Sequence, residues 1–235
     1  MNNYFGTYQT FHTTAKDQEA LLMSADNLIG DCYDIQIELD NGVHHAWLVN
    51  RFDQRVGCFD PDFSRKLSLL SANGLTLKAL LSLVLYTEDR SEGGKKEKTP
   101  ENQNISNVKQ PDVSRETSGY WGEMAVICFS QANSAVFENF LRGISGKLQE
   151  GVRPRIDFDS TGFDRIIESN GTWLPEQNAA KFSTKKGTVI MKSHRTLSDK
   201  LIEQGRQGNK GCYAISWGFI AVVVLLIILL VKSLL

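Results

Sequence analysis

The sequence feature that most limits the possible structure of this chain is the apolar stretch from Cys212 to Val231, CYAISWGFIAVVVLLIILLV. It holds 20 residues without a charge. At a rise of about 1.5 Å per residue, a helix of that length spans the hydrocarbon core of a bilayer, about 30 Å. In lipid, only a helix satisfies the backbone of a single isolated span. The sequence therefore predicts a transmembrane helix over residues 212–231; a buried core helix is the alternative.

Charged and aromatic residues around this stretch predict its orientation. Tyr213 and Trp217 lie near its first end, where amphipathic rings favour the headgroup level. The basic residues that precede it are Lys192, Arg195, Lys200, Arg206 and Lys210, whereas Lys232 follows it. The positive-inside tendency then places the preceding domain in the cytoplasm, and the N-terminus has no secretory signal pattern. We expect a tail-anchored single-pass protein, with residues 232–235 as a short tail.

Residues 207–211 form a glycine-rich juxtamembrane hinge in this interpretation. The basic residues Lys200, Arg206 and Lys210 have two possible roles near the membrane, and the two are compatible. They are a topology signal, or they also attract anionic lipid headgroups.

The rest of the chain has the composition of a globular domain. It is part of a sequence that is 41% hydrophobic and 23% charged, which is enough apolar material for a core. The formal net charge of -1 gives no indication of nucleic-acid binding. The four cysteines lack metal-ligand or CxxC spacing, so we expect reduced thiols, as in a cytoplasmic domain.

The clearest soluble pattern is a three-stranded meander. Residues 32–39 alternate between apolar and polar, which is typical of a strand buried on one side. Asn41-Gly42 supplies the positive φ values of a tight hairpin. The return strand is expected near residues 44–51 and a third strand at residues 55–59. Residues 67–87 fit both periods, and we favour a helical turn near residues 75–80 followed by a strand from residue 82 to residue 87.

Residues 89–118 have no aromatic side chain and few large aliphatic ones. Such a segment cannot bury enough surface to offset its ordering entropy, so it is predicted to be a disordered loop. Its flanks, LSLVLYTE and YWGEMAVICFS, have the composition of paired strands. Residues 1–88 and 119–206 are then two parts of one cytosolic domain; a linker between two domains is the alternative.

The second part combines helices with strands. Apolar residues from Phe137 to Leu148 share one face of a helix predicted over residues 134–150. A second short helix is expected to end at Asn170-Gly171, followed by a strand at residues 187–192 and a helix at residues 196–204. The predicted fold class is α+β: a largely antiparallel sheet with helices on one face, plus the transmembrane helix.

No catalytic motif is found in the sequence, and we expect neither a metal nor a cofactor. His44 and His45 are adjacent on a strand, so their rings point to opposite faces. Trp173 follows a turn and lies outside any periodic face, which makes it a candidate interface anchor. Arg153 and Arg155 are the charged candidates beside it.

Two functions remain open at this point. The first is a membrane-tethered interaction or adaptor domain that binds a protein partner at the cytosolic leaflet. The second is a membrane-anchored enzyme whose active site has no recognisable motif. The absence of catalytic motifs favours the first, and no sequence feature indicates an oligomeric state.

Overall fold

The computed structural model describes residues 4–88, 119–180, 182–184 and 187–206. The chain divides into two compact units, Met1–His194 and Arg195–Leu235. Among the described residues, no helix is both long enough and apolar enough to cross a membrane. The predicted transmembrane helix, the hinge and the predicted disordered loop all lie outside the described residues. So do the flanking residues Lys210, Tyr213, Trp217 and Lys232.

Seven strands and five α-helices are found in the described residues. In chain order they are β1 (Tyr4–His12), α1 (Lys16–Met23), β2 (Cys32–Asp40), β3 (Val43–Val49), β4 (Arg55–Phe59), α2 (Pro61–Ala72), β5 (Leu75–Thr87), β6 (Gly119–Ser130), α3 (Ser134–Gln149), α4 (Ser160–Glu168), β7 (Thr188–Lys192) and α5 (Leu197–Arg206).

The predicted meander is confirmed. Strands β2 and β3 pair antiparallel up to Asp40 and Val43, and β4 pairs with the other edge of β3. The turn between β2 and β3 has Asn41 at φ 49° and Gly42 at φ 79°. Both lie in the left-handed region that a two-residue hairpin requires, which is why Asn-Gly occupies it.

The sheet closes on itself. Its strand order is β2-β3-β4-β1-β6-β5-β7, and β2 also pairs with β5 through Cys32–Leu80, Tyr33–Ala79 and Asp34–Lys78. Six strands therefore form a closed antiparallel barrel. The seventh strand, β7, pairs with β5 from Val84 to Thr87, beyond the residues of β5 that pair with β2. The α+β class with an antiparallel sheet is confirmed. The sheet is a closed barrel accompanied by helices.

Each side of the barrel wall has its own apolar layer. The paired residues Phe5, Cys128 and Leu77 share the inward side of β1, β6 and β5. The outward side of the same strands packs on α3, where the Phe137 ring lies 4.6 Å from Phe129. The predicted apolar face of α3 is confirmed, since Phe137, Phe140, Leu141, Ile144 and Leu148 are all buried.

Helix α2 was not predicted. The sequence pattern predicts no helix at residues 61–72 and favours a helical turn near residues 75–80. Instead, Asp60 is an N-cap whose side chain accepts a hydrogen bond from the Phe63 amide, and Pro61 starts the helix. The Phe63 ring contacts Phe59 and the inward-facing Phe5, so α2 covers one end of the barrel. Strand β5 then occupies the whole of Leu75–Thr87.

Replacing Phe140 by Ala tests the layer between α3 and the barrel. Phe140 is fully buried, so the change should reduce the free energy of unfolding by about 3–5 kcal/mol. Glu138 is exposed on the same helix, and Glu138→Ala should have little effect. Chemical denaturation of both variants measures the difference, and equal losses would contradict the assigned face.

The segment from residue 89 to residue 118 is expected to be dispensable for folding. Thr87 of β5 lies directly opposite Gly119 of β6, so a short Gly/Ser linker is long enough to join the two strands. Because loop-closure entropy varies slowly with length, the melting temperature should stay nearly unchanged or rise slightly. A marked fall in melting temperature would show that these residues contribute to the core.

Candidate functional site

An extended segment, residues 153–158, lies across the outward side of β1. The hydroxyls of Tyr4 and Tyr8 donate hydrogen bonds to the carbonyls of Ile156 and Pro154, each at 2.8 Å. Between these tyrosines, β1 has Gly6, where a Cβ atom would lie 2.1 Å from the Ile156 carbonyl oxygen. Any side chain at this position would therefore push the segment away from the barrel wall.

A buried ion pair fixes the start of this segment. Arg153 donates to both carboxylate oxygens of Glu123 through Nη2, at 2.7 Å each, and through Nε to Oε1 at 3.1 Å. Its guanidinium lies 4.6 Å from the centre of the Tyr8 ring. Its Nη1 donates to the Ala180 carbonyl at 2.6 Å. Arg153 thus connects the barrel wall to the chain at Ala180.

Glu123 of β6 lies opposite a bulge in β5. The pairing of β5 with β6 shifts between Leu81 and Leu83, so Ser82 is the extra residue. Its hydroxyl donates to Glu123 Oε1 at 3.0 Å. Burial raises the pKa of Glu123 above its ordinary value. Arg153 and Ser82 act in the other direction and offset part of this rise. The carboxylate therefore depends on these two partners for its charge.

Arg155 differs from Arg153 in its surroundings. It is exposed, and its Nε donates to Asp157 at 2.9 Å. Its backbone amide donates to the Gln177 carbonyl at 2.8 Å, and Nη1 donates to the Gln177 side chain at 3.1 Å. Residues 153–155 and 177–179 thus run side by side, with the Ala179 amide donating to the Arg153 carbonyl.

Helix α4 forms the opposite wall of a groove next to Arg155. Its N-cap is Asp159, whose side chain accepts a hydrogen bond from the Gly162 amide at 3.1 Å. After α4 ends, a turn brings Trp173 back so that its ring meets Phe158 edge-on at 5.5 Å. The Arg165 guanidinium lies over the Trp173 ring, 5.8 Å from its centre.

We call this depression the Trp173 groove. It has a volume of about 510 Å³. It is lined by Arg155, Asp157, Phe158, Asp159, Thr161, Gly162, Arg165, Trp173, Pro175, Glu176 and Gln177. A second cavity of about 470 Å³ adjoins it beyond Arg155, where Tyr8 and Arg153 contribute to the lining.

The three predicted interaction residues lie around these two cavities. Trp173 lines the groove and is half-buried, Arg155 lines both cavities, and Arg153 lines the second one while paired with Glu123. Lys200 is exposed on α5, and the Arg206 side chain lies outside the described set. Lys192, counted among the cations before the apolar stretch, donates instead to the carbonyls of Leu22, Ser24 and Asn27.

Two residues of this region were missed at the level of sequence. Arg165 belongs to the polar side of α4, and nothing in its spacing connects it to Trp173. Glu123 offered a usable signal, because it is a lone carboxylate in the strongly apolar run of β6. A buried carboxylate requires a buried cation or several donors, and that requirement points to a partner such as Arg153.

Two of the groove carboxylates already have structural partners, as Asp157 pairs with Arg155 and Asp159 caps α4. Within the described residues, no group of three or more His, Cys, Asp or Glu side chains is arranged to hold a metal ion. Cys32, Cys58 and Cys128 are free thiols. Burial raises the pKa of the Cys128 thiol to about 12, so it stays protonated at neutral pH and is a poor nucleophile.

Comparison of the chain with protein-family models gives no match. Comparisons with curated proteins and with solved structures likewise give no match. The chemistry of the groove therefore has to be argued from its own residues.

Replacing Arg153 by Ala tests the buried ion pair. The change leaves Glu123 buried without its cation, which should reduce the free energy of unfolding by about 3–5 kcal/mol. Arg155→Ala is the matched control two residues away, since its pair with Asp157 is exposed and should contribute little. Thermal and chemical denaturation measure both variants.

The loss in Arg153→Ala should also depend on pH. Without Arg153, the pKa of Glu123 is raised further, because burial is less opposed. The loss of stability comes from the buried, unpaired Glu123 carboxylate. It is therefore absent at a pH low enough to protonate Glu123 in both the folded and the unfolded state. It grows as the pH rises from the ordinary glutamate value of 4.5 through the raised one. The loss should therefore be smaller at pH 4 than at pH 7, and a constant loss would contradict this account.

Proposed function

We propose that this protein is a membrane-tethered binding module, which uses the Trp173 groove to hold a segment of a protein partner. Residues 212–231 anchor it, and the barrel domain faces the cytoplasm. The observation that carries the binding role is the Trp173 ring, half-buried in a groove between two arginines. Tryptophan and arginine are the residues that most often dominate binding energy at protein interfaces.

The lining of the groove supports a peptide as the ligand. Trp173, Phe158 and Pro175 offer an apolar surface, while Arg155 and Arg165 stand on its rim. Arginine stacked on an aromatic ring presents its donors to carboxylates and its flat face to apolar groups. A partner segment with an aliphatic or aromatic side chain next to a carboxylate would satisfy both features.

The charges around the groove make the proposal more specific. Arg155 is held by Asp157 and Gln177, so that its position is set before a ligand arrives. Arg165 lies over Trp173 and has no hydrogen bond that competes with a ligand among those assigned to the described residues. Arg165 is therefore the cation that we expect to contact the carboxylate of the partner.

The anchor rests on the sequence of residues 212–231. Twenty uncharged residues match the bilayer core, and the cations Lys200, Arg206 and Lys210 precede them. Tyr213 and Trp217 would lie at the cytoplasmic headgroup level and Lys232 at the opposite one. Tethering raises the effective concentration of the groove for partners on the same membrane.

The binding role is tested by filling the groove without disturbing its floor. Thr161 is exposed in the first turn of α4 and lines the groove, so Thr161→Arg should block entry and leave packing intact. Proteins that co-purify with the detergent-solubilised chain should be lost from this variant, while the melting temperature is kept. Trp173→Ala should lose the same proteins.

A matched control for the groove variants is available in the β3–β4 turn, which does not line the groove. Phe52 is 49% exposed in the β3–β4 turn, and Arg51 lies over its ring, which reproduces the local chemistry of Trp173 and Arg165. Phe52→Ala should retain every partner that Thr161→Arg loses. Equal recovery in all three variants would remove the groove from the binding surface.

The membrane anchor has a separate test. The full chain should remain with membranes in alkaline carbonate, and a chain ending at Gly211 should not. Protease added outside sealed cytoplasm-out vesicles should digest the barrel domain. Protection of that domain would reverse the proposed orientation, and carbonate extraction of the full chain would refute the anchor.

A further inference from the structure

Helix α5 has an apolar face that is exposed to solvent. Leu197 is 80% exposed, Leu201 is 69% exposed and Ile202 is 37% exposed. Ten large hydrophobic side chains are exposed in the described part of the chain, and six of them lie between residues 189 and 202. This concentration falls in the stretch immediately before the uncharged segment 212–231.

The polar residues of α5 lie on the other side of the helix. At about 100° per residue, Leu197, Leu201 and Ile202 fall within one arc of the helix surface. Asp199, Lys200 and Glu203 fall within the opposite arc. A helix with this division needs an apolar surface to lie on, because ten residues alone form a marginal helix in water.

The start of α5 is fixed by its own residues. The Thr196 amide and hydroxyl both donate to the Asp199 carboxylate at 2.9 Å, and the Asp199 amide donates to the Thr196 hydroxyl at 3.2 Å. This reciprocal arrangement is a capping box, which sets a helix start without tertiary contacts. The helix can therefore form wherever its apolar face finds a partner.

The linker between α5 and the uncharged segment limits which apolar surface can cover the helix. Five residues, 207–211, separate the end of α5 from Cys212, and even fully extended they span only about 20 Å. If Cys212 lies at the headgroup level, the C-terminal end of α5 must lie within that distance of the bilayer. A lipid surface is then the nearest large apolar phase for Leu197, Leu201 and Ile202.

We infer that α5 lies in the membrane interface, parallel to the bilayer surface, with Leu197, Leu201 and Ile202 inserted among the phospholipid acyl chains. This inference rests on the proposed membrane anchor. In this position Asp199, Lys200 and Glu203 remain in the aqueous headgroup layer, as in other interfacial amphipathic helices.

The test is a spin-label scan of the full chain in phosphatidylcholine–phosphatidylserine vesicles. Single cysteines replace residues 197–205 in turn, on a background with Cys32→Ser and Cys212→Ser. The remaining described thiols, Cys58 and Cys128, are buried. The ratio of accessibility to oxygen over accessibility to a water-soluble nickel chelate should be several-fold higher at 197, 201 and 202 than at 199, 200 and 203.

Two substitutions with the same change in charge sharpen the result. Leu201→Asp should abolish the high ratio at labelled 197, whereas Lys200→Gln, on the polar side, should preserve it. High nickel accessibility at every position overturns the inference, as does uniform protection without a helical period, which would mean burial against protein.

Leu225→Cys, inside the uncharged segment, separates this inference from the proposed function. A label at 225 in lipid, together with a water-exposed α5, refutes the interfacial helix alone. A water-exposed label at 225 refutes the membrane anchor and the interfacial helix with it.

Discussion

Three residue pairs between β2 and β5 determine the architecture of the whole domain. They join Cys32 to Leu80, Tyr33 to Ala79 and Asp34 to Lys78, and so convert a sheet with two free edges into a barrel. Past Leu80 the loop residues Gly30 and Asp31 continue the contact with Leu81 through backbone hydrogen bonds. The bulge follows at Ser82, which supports Glu123, which in turn holds Arg153. The position of the Trp173 groove therefore depends on where the barrel closes.

Helices and strands could be predicted from the sequence where one face of the element is buried and the other is exposed to solvent. The β2–β3 hairpin and the apolar face of α3 both met this condition, and the two apolar flanks of residues 89–118 do pair as β5 and β6. Strand β1 did not meet it, because Gly6, Thr7 and Gln9 interrupt any alternation. Barrel closure could not be predicted either, since the period of a strand specifies its faces and not its neighbours.

The groove shows the same division between local and distant information. Trp173 could be singled out because it lies outside every periodic face, and Arg153 and Arg155 as the charged candidates beside it. Their different surroundings could not be foreseen, because Arg153 meets Glu123 from another strand while Arg155 meets Asp157 two residues along. Periodicity cannot separate the two arginines, because side chains two residues apart on an extended segment share one side.

The place of β1 in the barrel has a consequence for the order in which the protein can fold. This strand is made first, yet it lies between β4 and β6, and its long partner β6 contributes Phe129 opposite Tyr4. Synthesis proceeds at roughly 5–20 residues per second, so β1 waits several seconds for the strand that covers most of its edge. Pairings so distant in sequence also slow the folding step itself. During this interval Tyr4, Tyr8 and Phe11 have no barrel wall to join, and the nascent chain presents an unpaired strand that cellular chaperones are suited to cover.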